Sequence, residues 1–153
     1  MDLVSLIPVG HVVSSRAEPV DDGWDGETAS IELSDRFTAD ALLGLDEFSH
    51  VEVVYQFHRV PEADEVPGSR HPRDRADWPR VGIFAQRGRV RPNRIGVTVC
   101  SVVSVDGTTV HVRGLDAIDG TPVLDLKPFM PEFGPRGDIR SPQWSNELMA
   151  NYW

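Results

Sequence analysis

The dipeptide Asp106-Gly107 lies between two β-branched runs, residues 95–105 (IGVTVCSVVSV) and 108–113 (TTVHVR). Asp-Gly is the chemistry of a two-residue hairpin turn, which needs positive φ at its central positions. Two strands joined so tightly must pair antiparallel, which commits this part of the chain to an antiparallel sheet. Further runs of strand character occupy residues 6–13, 29–33, 50–59, 81–85 and 122–127, with 50–59 (HVEVVYQFHR) the strongest. Helical signals are few. Thr38 can cap a short helix ending before Gly44, and Ser141-Pro142 can open an amphipathic tail through Trp153. Frequent strands with only short helices predict a mainly all-β fold, an antiparallel barrel or sandwich.

The chain has 153 residues, the size of one domain, so 1–153 is read as a single domain. Hydrophobic residues at 40% and charged residues at 25% are globular rather than disordered proportions. The lone Cys100 excludes an internal disulfide and a cysteine zinc cage. No run approaches the roughly 18 apolar residues of a membrane span. The opening MDLVSLIPVGHVV has no basic leader before its apolar stretch, so the expectation is a cytoplasmic protein without a membrane partner.

The net charge of −9 is uneven. Residues 1–69 hold 15 acids and 3 bases, residues 70–94 hold 8 arginines and 2 acids, and residues 95–153 hold 7 acids and 4 bases. DNA binding needs a sustained basic face, which this chain lacks. The central arginines can still hold one anionic group, since guanidinium forks fit carboxylates and phosphates.

Three segments carry chemistry. In residues 82–96 (GIFAQRGRVRPNRIG), Arg87, Arg89, Arg91 and Arg94 surround Pro92-Asn93, a rigid pair that can aim a guanidinium. On spacing alone, an ordinary turn with solvated arginines is the favoured reading. In residues 115–133, Asp116, Asp119 and Asp125 flank the Asp-Gly-Thr-Pro turn at 119–122, which can present backbone groups and a carboxylate to a ligand. Turn chemistry alone is the other reading, with Asp125 pointing outward. In residues 44–60, His50 and His58 lie eight residues apart on one expected strand. That separation, about 26 Å, is too wide for one metal ion, so no metal site is expected. No GxGxxG, P-loop, HExxH or nucleophile elbow occurs.

The order GLDEFSH, FHRV, GIFAQRGRVRPNRIGVT and DGTPVLDLKPFMP, with the opening VSLIPVGHVVSS, resembles the TsaA/TrmO-like family over about residues 4–133. Its named members are S-adenosylmethionine-dependent tRNA N6-threonylcarbamoyladenosine methyltransferases, and this chain looks like a short form without their C-terminal domain. The resemblance implies a closed antiparallel β-barrel with short helices and a C-terminal helical tail. It also implies a homodimer with S-adenosylmethionine bound near the subunit interface. Carried onto matching positions, the cofactor contacts are His58 and Arg59, Arg91, Cys100 or a close neighbour, and Asp116, Ala117, Ile118 and Asp119. Arg91 is then a partner for an anionic group, and residues 116–119 hold adenine or ribose. No residue is assigned as catalytic; a general base is needed only if the acceptor carries a proton of high pKa, and His58 and Asp119 are then weak candidates. The usual family loop resembles FATRSPHRPNPIG; here Gln86, Gly88 and Arg94 replace the threonine, serine and second proline. The acidic PVDDGWDG stands in place of a PRQPG element, and Trp24 within it is a candidate to stack on adenine. The implied acceptor is a small molecule or modified nucleoside. The alternatives are tRNA, contacted through residues 70–94, and a non-catalytic module that binds the cofactor or another adenine ligand.

Overall fold

A computed structural model of the chain describes all of residues 1–153. Six strands close into an antiparallel barrel: β1 (Gly10–Ser14), β2 (Thr28–Leu33), β3 (His50–Gln56), β6 (Ile95–Asp106), β7 (Thr109–Arg113) and β8 (Pro122–Pro128). Their order around the barrel is β1-β2-β7-β6-β3-β8, with β8 returning to β1. Closure leaves no main-chain edge in the barrel. A separate two-stranded ladder, β4 (Ser69–Arg70) with β5 (Val81–Gly82), lies in the long connection between β3 and β6.

Alternation drives the closure. Along β3 every second residue, Val51, Val53 and Tyr55, is buried, and β7 buries Val110 and Val112. With Val12, Ile31 and Val123 they fill the barrel, and Leu42 and Leu115 pack in from loops. Burying each such side chain contributes roughly 1.5–3 kcal/mol. The Asp106-Gly107 hairpin forms as its residues require: Asp106 pairs with Thr109, and Gly107 takes φ +60°.

Several element boundaries differ from expectation. β1 starts at Gly10; Val9 still hydrogen-bonds to Val123 and Ser34, but the apolar residues before it find no partner strand, and Leu3, Val4, Leu6 and Ile7 are exposed. β3 stops at Gln56, so His50 and His58 do not share a strand. Residues 39–42 form a single 3-10 turn, and Thr38 makes no side-chain cap. Only Val81–Gly82 of the 81–85 run is strand; Ile83–Ala85 turn into 3-10 helix. The tail forms one helix, α1 (Gln143–Met149). No helix is long and apolar enough to cross a membrane.

The register sorts the loops by barrel end. Ser14 pairs with Ala29, Thr28 with Arg113, Gln56 with Ile95, and His11 with Pro122. Residues 15–27, 57–94 and 114–121 therefore all leave the barrel at the same end. The tail returns to that end, where the Gly23 and Trp24 N–H groups donate to the carbonyls of Asn151 (3.1 Å) and Tyr152 (2.9 Å).

Candidate functional site

The three loops and the tail enclose a cleft of about 1180 Å³. At its floor lies Asp116, on the connection from β7 to β8. One carboxylate oxygen, Oδ1, accepts hydrogen bonds from the Tyr55 hydroxyl (3.1 Å) and the Thr98 hydroxyl. Oδ2 accepts from the Tyr152 hydroxyl in the tail. Tyr55 is placed by the inward alternation of β3 and Thr98 by the start of β6. None of the salt bridges of the structure includes Asp116. All three of its side-chain partners are neutral. Burial, and next the Asp116 charge, push both tyrosine phenols far above their ordinary pKa, so they remain donors at any physiological pH.

Arginines supply the opposite sign. Arg87 and Arg89 both line the cleft. Arg87 donates to the Val97 carbonyl (2.7 Å) and Arg89 to the Pro19 carbonyl (2.9 Å), and neither has a carboxylate partner. Arg59 and Arg73, also on the wall, are paired with Glu18 (3.3 Å) and Asp22 (2.8 Å). The cleft thus offers two guanidiniums without an anion, and of its carboxylates without a cation, Glu52, Asp64 and Asp116, only Asp116 is held by three hydroxyls.

The residues expected from sequence divide between the cleft wall and its support. Trp24, His58, Arg59, Asp116, Ala117 and Ile118 line the cleft. Trp24 is buried, with the Arg16 guanidinium 3.8 Å above its ring, so one ring face is already covered. Burial, then the neighbouring Arg59, lowers the His58 pKa against the opposing pull of Asp119, leaving a neutral imidazole at neutral pH. Arg91 is not on the wall; it donates to the Gln86 carbonyl (2.6 Å) and closes its own loop. That loop is tight: Asn93 and Arg94 both adopt positive φ, and Arg94 is anchored to Glu65 at 2.9 Å. Asp119 accepts the Ser14 N–H (2.9 Å), locking the turn to β1. Cys100 sits in the barrel core, where burial and then Asp116 push its thiol up to about 12. Thr98, two residues earlier on the same face of β6, is the neighbour that reaches the cleft. Asp125 pairs with Lys127 away from the cleft. No group of three or more His, Cys, Asp or Glu side chains is placed to hold a metal ion.

Sequence reasoning did not single out Tyr55, Thr98 and Tyr152 around Asp116. Tyr55 could have been found as an inward residue of the best strand, with a hydroxyl that needs a partner once buried. Tyr152 carried no local signal, since 36 residues separate it from Asp116.

Comparison with known proteins gives the following matches. The family model of the tRNA-methyltransferase O N-terminal domain matches residues 14–134. A Pyrococcus abyssi protein named "Probable S-adenosyl-L-methionine-binding protein" is 34% identical over 144 residues, covering 90% of this chain and 74% of its own. The Escherichia coli (strain K12) tRNA (adenine(37)-N6)-methyltransferase is 39% identical over 97 residues, 61% of this chain and 41% of that enzyme. The match to its Mus musculus namesake spans only 21% of that enzyme's length. Among solved structures, TrmO from Pseudomonas aeruginosa superposes with a TM-score of 0.73 at 28% identity, over 91% of this chain and 62% of that one.

Proposed function

This chain belongs to the family of the tRNA-methyltransferase O N-terminal domain, and from that premise we propose that it is an S-adenosylmethionine-dependent methyltransferase acting on a small molecule or modified nucleoside. The observation that carries the reading is Asp116. A carboxylate in a cleft whose partners are all neutral calls for a cation from the ligand. The sulfonium of S-adenosylmethionine is such a cation.

The donor set fits the rest of that cofactor. Arg87 is free to take its carboxylate. Ala117 and Ile118 offer a nearly buried apolar surface with backbone groups for the adenine. His58 and Arg59 stand just past the end of β3 beside them on the cleft wall, which Trp24 also lines. Arg91, Cys100 and Asp119 act from behind this wall, by shaping the arginine loop, filling the core under Thr98 and fixing the 116–119 turn. The exposed apolar arm at Leu3, Val4, Leu6 and Ile7 supports a homodimer.

Bound in the cleft, the cofactor supplies an activated methyl group on a good leaving group. The chain's own residues then need to align donor and acceptor and to exclude water. His58 holds an unprotonated imidazole that can accept a proton from an acceptor nitrogen or oxygen. A second reading, transfer to an adenosine of tRNA, is supported by the relatives named for that activity and by the arginines of residues 70–94.

Calorimetric titration with S-adenosylmethionine tests the reading. Binding with a Kd on the order of micromolar is expected, followed by label transfer from methyl-labelled cofactor. Absence of binding contradicts it, and binding without transfer to any acceptor reduces the chain to a binding module.

A further inference from the structure

The cleft has more room than one ligand needs, and part of its wall lies outside the matched family segment. Pockets for a single small ligand occupy roughly 300–1,000 Å³, whereas this cleft measures about 1180 Å³ with the tail in place. The family match ends at residue 134. Beyond it, the tail contributes Trp144, Leu148, Met149, Tyr152 and Trp153 to the wall.

The two parts of the wall differ in chemistry. The barrel and its loops supply Asp116, His58 and the free arginines. The tail supplies indole rings, aliphatic carbons and a thioether, and no charged side chain. Its one acid, Glu147, is turned aside to accept the Trp78 indole N–H (2.8 Å). Trp153 meets the Tyr152 ring edge-on at 4.9 Å, yet it is 51% exposed and Met149 39% exposed, so these cleft-lining residues keep open apolar surface. The tail is nonetheless fixed, through Gly23, Trp24, Trp78 and Asp116. Its last turn passes directly over the carboxylate. The neighbouring rim, residues 17–27, is held by ion pairs, Glu18 to Arg59, Asp22 to Arg73, Asp25 to Arg113 and Glu27 to Arg16, so it too is a fixed wall.

We propose that the tail is the acceptor-binding wall, and that the acceptor is a free small molecule with an aromatic or heteroaromatic face rather than an RNA. The assignment rests on the cofactor reading above. Donor chemistry lies on the barrel side, and the second molecule stacks on Trp144 and Trp153, where its planar face covers apolar surface that the fold leaves open. A free molecule enters beside the tail, whereas an adenosine within a folded RNA has to displace it.

The test uses the full chain, methyl-labelled S-adenosylmethionine, and an extract of the source cells split into a low-mass fraction and an RNA fraction. Trp144→Ala and Trp153→Ala are run beside the unaltered protein, with S-adenosylhomocysteine affinity measured for each by calorimetry. Label is expected in the low-mass fraction only. Each variant should cut that transfer by about tenfold while S-adenosylhomocysteine affinity stays within about twofold. Trp153 is largely exposed, so its variant keeps the fold. Label in the RNA fraction, transfer insensitive to both variants, or no transfer to either fraction by cofactor-bound protein overturns the proposal. Failure to bind the cofactor at all overturns the cofactor reading itself, and this assignment with it.

Discussion

At one end of the barrel, β6 passes into β7 through Asp106-Gly107 in the shortest connection of the fold, and Leu42 from the 34–49 loop packs into the core. At the other end, the chain leaves β3 at Gln56 and returns to Ile95, its pairing partner, only after residues 57–94. The first end is set by turn chemistry and alternation. The second gathers polar side chains from β3, β6, the 114–121 loop and the tail around one carboxylate. The barrel therefore acts as a rigid frame whose stability comes from apolar burial, while the cleft keeps charges that only a ligand can complement.

Substitutions on each side should separate these properties. Ile31→Ala, in the fully buried barrel interior, is expected to cost about 3 kcal/mol. This would appear as a lower urea midpoint with an unchanged m-value, and cofactor affinity under native conditions should stay within about twofold. Gly96→Ala tests the boundary. A Cβ there meets the Tyr55 ring at 2.6 Å, so the ring must shift and take its hydroxyl away from Asp116. A cost of about 1–3 kcal/mol is expected, but here with weakened cofactor binding, and an effect on stability alone would break the coupling. Cys100 should react with a neutral thiol reagent at pH 8 on the order of a thousandfold more slowly in the folded chain than in the unfolded one.

The smallest effect is a pH dependence. The folded His58 has a lowered pKa, so below about pH 6.5 the unfolded chain binds more protons there than the folded one. Stability therefore declines as pH falls through that value toward the folded pKa, and His58→Gln should flatten this part of the profile in urea titrations.

The same contrast explains what could be read from the sequence. The strands were legible because alternation is a local signal: β3, β7 and the hairpin lie within a residue or a few of their expected positions. β1 was read too early because Leu6 and Ile7 are apolar yet exposed, with no strand to pair with. In the cleft, the Asp-Gly-Thr-Pro turn and the arginine loop announced themselves through turn residues. Which arginine faces the cleft did not: Arg87 and Arg89 face it, and Arg91 closes the loop behind them. The partners of Asp116 were illegible for a related reason. Tyr55, Thr98 and Tyr152 reach it from 61, 18 and 36 residues away, through barrel closure and tail docking.

The central claim is that Asp116 recognises a positively charged ligand. S-adenosylmethionine and S-adenosylhomocysteine differ in one methyl group and in the sulfonium charge that it confers. Titrating both into the unaltered protein and into Asp116→Asn tests the claim most directly. The expected result is a loss of about tenfold or more in S-adenosylmethionine affinity, with S-adenosylhomocysteine within about twofold of its original value. Equal losses for the two ligands, or no loss for either, would contradict it.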